Sequence, residues 1–146
     1  MRCNTGLRVR ISPTAVLLLA VFALAAPVIC LAAILAAAVC HELGHWLVLR
    51  RVGGRIQRLH ITVFGAEMQV DDRRISYGGE LLTAAAGPVS NLLLAAAIGF
   101  LGRWWEPMYL FAGAQLVLGA FNLLPALPLD GGRILWLALA WLTEPY

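Results

Sequence analysis

The chain has 146 residues, 61% of them hydrophobic and 13% charged, with a mean hydropathy of +0.81 and a formal net charge of +3. Soluble domains carry roughly 45–50% apolar and about 25% charged residues, so this composition excludes an ordinary water-soluble domain and points to a lipid bilayer. All 11 basic residues are arginines lying mostly between uncharged runs, a pattern that speaks to membrane orientation rather than nucleic-acid binding.

Uncharged runs cover residues 11–40, 81–102 and 107–129. Each is long enough to cross a hydrocarbon core, which takes about 20 helical residues. From Thr14 to Leu49 the pattern is helical over 36 residues, about 54 Å as one rod, which overshoots a bilayer. Pro27 is the one breaker inside the run, and it predicts a short helix near 13–26 followed by a second near 28–50. A single kinked helix is the alternative. A cleavable signal peptide fits poorly, because the apolar run has no polar break and leads straight into a charged motif.

After Arg50 the period changes. Leu59, Ile61 and Val63 alternate with Arg58, His60 and Thr62, and a second short run, Glu67–Val70, follows Gly65. A period of two predicts a small β-hairpin, here at the membrane surface. A third helix is predicted near Glu80–Leu101, with small residues at Ala84, Ala85, Ala86 and Gly87 that allow close helix approach in lipid. Trp104 and Trp105 mark an interface, and a fourth helix is predicted from about Met108 to Asn122. Pro125 and Pro128 predict extended backbone up to Asp130, followed by a short apolar run at Ile134–Leu142. The tail to residue 10 has three arginines and the 50–74 segment six, against Arg103 alone in the turn after the third helix. By the positive-inside tendency the N-terminus and the hairpin face the cytoplasm, which requires an even number of crossings between them.

The chemistry is concentrated in His41-Glu42-Leu43-Gly44-His45, an H-E-x-x-H pattern inside the most helical stretch. Residues four apart share a helix face, so both imidazoles reach one metal ion, and the glutamate beside the first is placed to act on water. The plainer reading is a polar helix end, but helix ends need no such spacing, and ionisable groups within membrane helices are expensive. A hydrolytic zinc site wants three protein ligands and an open position. Asp130 is the best third ligand: of the eight acids only Glu42 and Asp130 border or interrupt the apolar runs. It sits in the stretch Asn122-Leu123-Leu124-Pro125-Ala126-Leu127-Pro128-Leu129-Asp130-Gly131-Gly132, and irregular backbone at membrane depth is tolerated where it lines a site. Glu67 is the rival ligand, in a less suitable surface strand. Asn91 is expected to act as hydrogen-bond glue between helices, and Arg133 to snorkel. Asn122, beside the irregular stretch, divides between that glue role and holding substrate backbone or an oxyanion.

The pair H-E-L-G-H and N-L-L-P-A-L-P-L-D-G-G resembles the site-2 protease family of intramembrane zinc metalloproteases, most closely its sporulation-type branch, the stage IV sporulation protein FB group. Ala86-Gly87-Pro88-Val89-Ser90-Asn91 is similar to a segment of that family's middle core helix. The resemblance implies a three-helix core with Zn2+ held by His41, His45 and Asp130 and Glu42 as general base; Asn122 also matches the family motif and is the candidate substrate-binding residue. The expected fold is an all-α polytopic membrane protein of about four transmembrane helices plus the hairpin, one peptidase domain over residues 1–146 without a PDZ or CBS domain. The expected function is intramembrane endoproteolysis in a bacterial cell membrane. The expected partners are the lipid bilayer and a membrane-associated protein substrate such as a sigma-factor precursor, with room for membrane regulatory proteins and no nucleic acid. A non-proteolytic membrane metal-binding protein is the competing function, and Glu42 argues against it, because a purely structural site has no use for a base.

Overall fold

The computed structural model describes residues 8–62, 65–71 and 75–143, in the order β1 (Arg8–Ile11), α1 (Pro13–Ala25), α2 (Val28–Arg51), β2 (Arg55–Thr62), β3 (Gly65–Asp71), α3 (Tyr77–Leu101), α4 (Met108–Asn122) and α5 (Asp130–Thr143). Pro27 divides the first apolar run. It has no N–H to continue α1 and biases Ala26 away from helical backbone, and Ala26 is accordingly extended at φ −117°, ψ 150°. Pro27 then caps α2, its carbonyl accepting from the Cys30 amide at 2.9 Å.

Small and polar residues form the interior. The buried stripe of α2 is Ala33, Ala37, His41 and Gly44; that of α4 is Ala112, Gln115, Gly119 and Asn122. Helix α3 buries Thr83, Ala84, Gly87, Pro88 and Asn91 between them. Contact is backbone-close: a Cβ on Gly44 would lie 2.7 Å from the Ala86 carbonyl, and one on Gly119 3.2 Å from the Pro88 carbonyl. Most large apolar side chains point outward instead, as with Leu93 (67% exposed) and Val117 (68%), while Leu49 and Leu137 are buried. Lipid favours this arrangement, because packing of small surfaces rather than hydrophobic burial joins helices there. Helices α2 and α3 are long and apolar enough to cross a membrane; α1 and α4 are apolar but shorter. Helix α1 buries no residue and lies outside the α2–α3–α4 core.

Strand β1 pairs parallel with β2, Arg10 opposite His60, and β2 pairs antiparallel with β3, His60 opposite Glu67. Strand β1 is an addition to the elements expected from sequence, although the alternation in Arg8-Val9-Arg10-Ile11 has the same period as β2. Its pairing ties the chain just before α1 to the chain just after α2.

Two expectations near the third ligand are corrected. The backbone between Asn122 and Asp130 is turned rather than extended, with the Ala126 amide bonded to the Leu124 carbonyl (2.8 Å) and the Leu129 amide to the Ala126 carbonyl (2.9 Å). Asp130 therefore opens α5 instead of ending an extended segment. The cause is the glycine pair that follows: a Cβ on Gly131 would lie 2.2 Å from the Leu123 carbonyl, and one on Gly132 2.5 Å from the Ala126 carbonyl carbon. Only glycine lets the first turn of α5 sit on that turned segment. Helix α3 also starts earlier than expected, at Tyr77, because the Ser76 side chain accepts the Gly79 amide at 3.2 Å and caps it.

Candidate metal centre

Helix α2 presents His41 and His45 one turn apart on its buried face, and α5 brings Asp130 to them. His41 Nε2 and His45 Nε2 are 3.1 Å apart, and Asp130 Oδ2 lies 3.0 Å from the first and 3.2 Å from the second. Three donors thus make a nearly equilateral triangle. Tetrahedral zinc with ligands at 2.0–2.1 Å holds its donors about 3.3 Å apart, so the triangle fits such an ion. The set is two imidazole nitrogens and one carboxylate oxygen, and it is the one group of three such ligands found among the described residues.

The surroundings hold the donors in place. His45 Nδ1 donates to the Thr83 carbonyl at 2.7 Å, which fixes the tautomer and turns Nε2 toward the triangle, the usual backing of a metal-bound histidine. The Thr83 hydroxyl donates to the Gly79 carbonyl one turn earlier at 2.7 Å. Gly87 faces both imidazoles: a Cβ there would fall 2.2 Å from His45 Nε2 and 2.8 Å from His41 Cε1. The bare backbone of α3 is thus one wall of the centre.

Glu42 follows His41 on α2, is partly buried, and lies outside the three-ligand triangle. Its Oε2 is shielded from solvent. Asn122 is the last residue of α4, and its Nδ2 donates to the Leu118 carbonyl of its own helix at 3.0 Å. Asn91 is fully buried and donates from Nδ2 to the Ala37 carbonyl of α2 at 3.4 Å, the interhelical bond expected of it. Glu67 lies in β3, but its side chain is outside the described residues. Arg133, on the first turn of α5, donates from Nη2 to Glu80 Oε1 of α3 at 2.6 Å.

Sequence reasoning missed Thr83, Gly87 as a wall, and Gln115, a buried amide in α4 that is 3% exposed. Gln115 was detectable as a polar residue one face-repeat before Asn122; Thr83 carried no signal, since its backbone oxygen does the work.

A helical core with an H-E-x-x-H centre completed by an aspartate from a later helix defines the class of a membrane metallopeptidase scaffold. Comparison with known proteins agrees. The model of peptidase family M50 matches residues 99–145. A zinc metalloprotease of Methanocaldococcus jannaschii is 33% identical over 104 residues, 66% of this chain and 30% of that protein. Stage IV sporulation protein FB of Bacillus subtilis is 31% identical over 102 residues, 66% of this chain and 35% of its own length. The solved site-2 protease from Methanocaldococcus jannaschii superposes with a TM-score of 0.79 at 26% identity, covering 96% of this chain and 70% of that one. The chain matches peptidase family M50 over its C-terminal part and is similar to the site-2 proteases, the sporulation branch being one of the related groups. It spans about a third of the length of these curated relatives.

Proposed function

We propose that this chain is the catalytic core of an intramembrane zinc endopeptidase, a single peptidase domain that hydrolyses a peptide bond of a membrane-associated protein. The observation that carries this reading is the triangle of His41 Nε2, His45 Nε2 and Asp130 Oδ2, with sides of 3.0–3.2 Å, in the interior of an outwardly apolar bundle. These three residues would hold the zinc. When bound, zinc supplies a Lewis acid that polarises the scissile carbonyl and acidifies water. Glu42 is the general base: its carboxylate takes the proton of the attacking water and returns it to the departing amine nitrogen as the C–N bond breaks. Asn122 spends one amide hydrogen on Leu118 and keeps a second hydrogen and Oδ1 for substrate backbone.

Helices α1 to α4 cross the bilayer, with the sheet and the N-terminus on the arginine-rich cytoplasmic side of a bacterial cell membrane. The parallel pairing of Arg8–Ile11 with Arg58–Ile61 supports this topology, because it keeps the two ends of the α1–α2 unit together. An unwound substrate adds as a strand along β3, which lies at the margin of the three strands. The test is co-expression with candidate membrane substrates. Glu42→Gln is expected to keep its zinc and its helix content and to lose cleavage; a cleaving Gln variant refutes the assignment.

A further inference from the structure

Helix α5 carries Asp130 at its first position and is fastened along α3 by rungs that run in opposite order on the two helices. Tyr77 donates its hydroxyl proton to the Leu137 carbonyl. Arg133 pairs with Glu80 at 2.6 Å. Asp130 then meets His45, whose Nδ1 is held by the Thr83 carbonyl. Residues three or four apart share a helix face, so Tyr77, Glu80 and Thr83 form one stripe of α3, and Asp130, Arg133 and Leu137 form the opposing stripe of α5. The ion pair therefore lies one turn from the third ligand on α5 and one turn from the carbonyl that orients His45 on α3.

The first turn of α5, which carries Asp130, is linked to α3 by the side chains of Arg133 and Glu80. Gly131 and Gly132 seat it closely on the turned segment before it, but they offer no side chain to interlock. The side chains of Arg133 and Glu80 are 46% and 30% exposed, while that of His41 is 7% exposed. The fastening thus lies at the rim and the chemistry inside.

We propose, given a metal held by His41, His45 and Asp130 as above, that Glu80 and Arg133 are positioning residues: their ion pair fixes the rotation of the first turn of α5 and so sets Asp130 Oδ2 against the two imidazoles. A simple tether would hold α5 in place without tuning the metal.

The test is titration of Co(II), followed by its visible absorption, into the purified chain in detergent. It compares wild type, Glu80→Gln, Arg133→Gln, Arg133→Lys and the reversed pair Glu80→Arg with Arg133→Glu. Each neutralising change is expected to weaken Co(II) binding about fivefold, the scale that one partly exposed ion pair transmits, and to alter the absorption band. The reversed pair is expected to recover to within about twofold of wild type, and Arg133→Lys to bind as wild type does. Circular dichroism and the unfolding midpoint in detergent are read on the same samples. Neutral variants that lower the midpoint yet keep wild-type affinity and band shape reveal a tether and overturn the proposal. A reversed pair no tighter than the single variants overturns it as well. If a neutral variant does not fold, the decision rests on Arg133→Lys and the reversed pair, and loss of Co(II) binding in both, with helix content retained, overturns it. A wild-type chain that takes up no Co(II) refutes the metal site itself, an outcome distinct from a binding wild type with unaffected variants.

Discussion

Gly87→Ala adds one methyl group to the wall of the metal centre and leaves the chemistry of every ligand intact. The new Cβ would lie 2.2 Å from His45 Nε2, 2.6 Å from its Cε1 and 2.8 Å from His41 Cε1, where ordinary contacts begin at 3.4 Å. His45 must therefore retreat by about 1.2 Å at Nε2, several times the roughly 0.2 Å tolerance of a metal–ligand bond. The ring cannot simply swing aside, since its Nδ1 is held at 2.7 Å by the Thr83 carbonyl. Helix α3 cannot accept the methyl by sinking toward α4, because Gly119 already sits against the Pro88 carbonyl. The expected outcome is a loss of zinc affinity of about 100-fold or more, at the upper end of what disturbing a ligand's support costs. The assay is zinc content and affinity in detergent, with circular dichroism as a check on helix content. Gly113→Ala in α4 is the control: a Cβ there meets nothing within 4 Å, alanine favours helix by about 1 kcal/mol, and zinc should be retained. A Gly87→Ala protein that binds zinc like wild type would refute the steric reasoning.

Asp130→Ala should lose zinc in metal analysis while Glu67→Ala keeps it; the reverse result removes Asp130 from the site. Asn91→Ala, which loses the bond to the Ala37 carbonyl, should lower stability by about 0.6 kcal/mol in a detergent unfolding titration and leave zinc binding intact. Cysteines placed at Arg10 and His60, which are register partners in the sheet, should label from the same side of the membrane in a cysteine-free background, and one at Trp104 from the other. Labelling of positions 10 and 60 from opposite sides would contradict the pairing of β1 with β2.

The sequence conveyed whatever depends on local pattern. The break at Pro27, the helix ending at Asn122 and the co-facial pair His41 and His45 all follow from backbone rules that act within a few residues. Convergence of Asp130 on those histidines was legible through an elimination among eight acids rather than through geometry. What stayed hidden depends on two segments meeting in space. The two prolines of 125–128 suggested extension, whereas Gly131 and Gly132 allow the chain to fold back and begin α5 four residues before the apolar run at Ile134. The pair of Arg133 with Glu80 joins residues 53 positions apart, beyond the reach of any local pattern. Thr83 and Gly87 act through a carbonyl and through a missing side chain, neither of which composition or period reveals.

The most direct measurement of the central claim is cleavage by the purified chain in liposomes, stripped of metal by a chelator and titrated with zinc against a library of single-span transmembrane peptides. The account predicts no cleavage without metal, a rise that saturates at one zinc per chain, and no cleavage at any zinc level for Asp130→Ala. Cleavage by the metal-free protein, or an Asp130→Ala protein that saturates at the same zinc ratio as wild type, would contradict it.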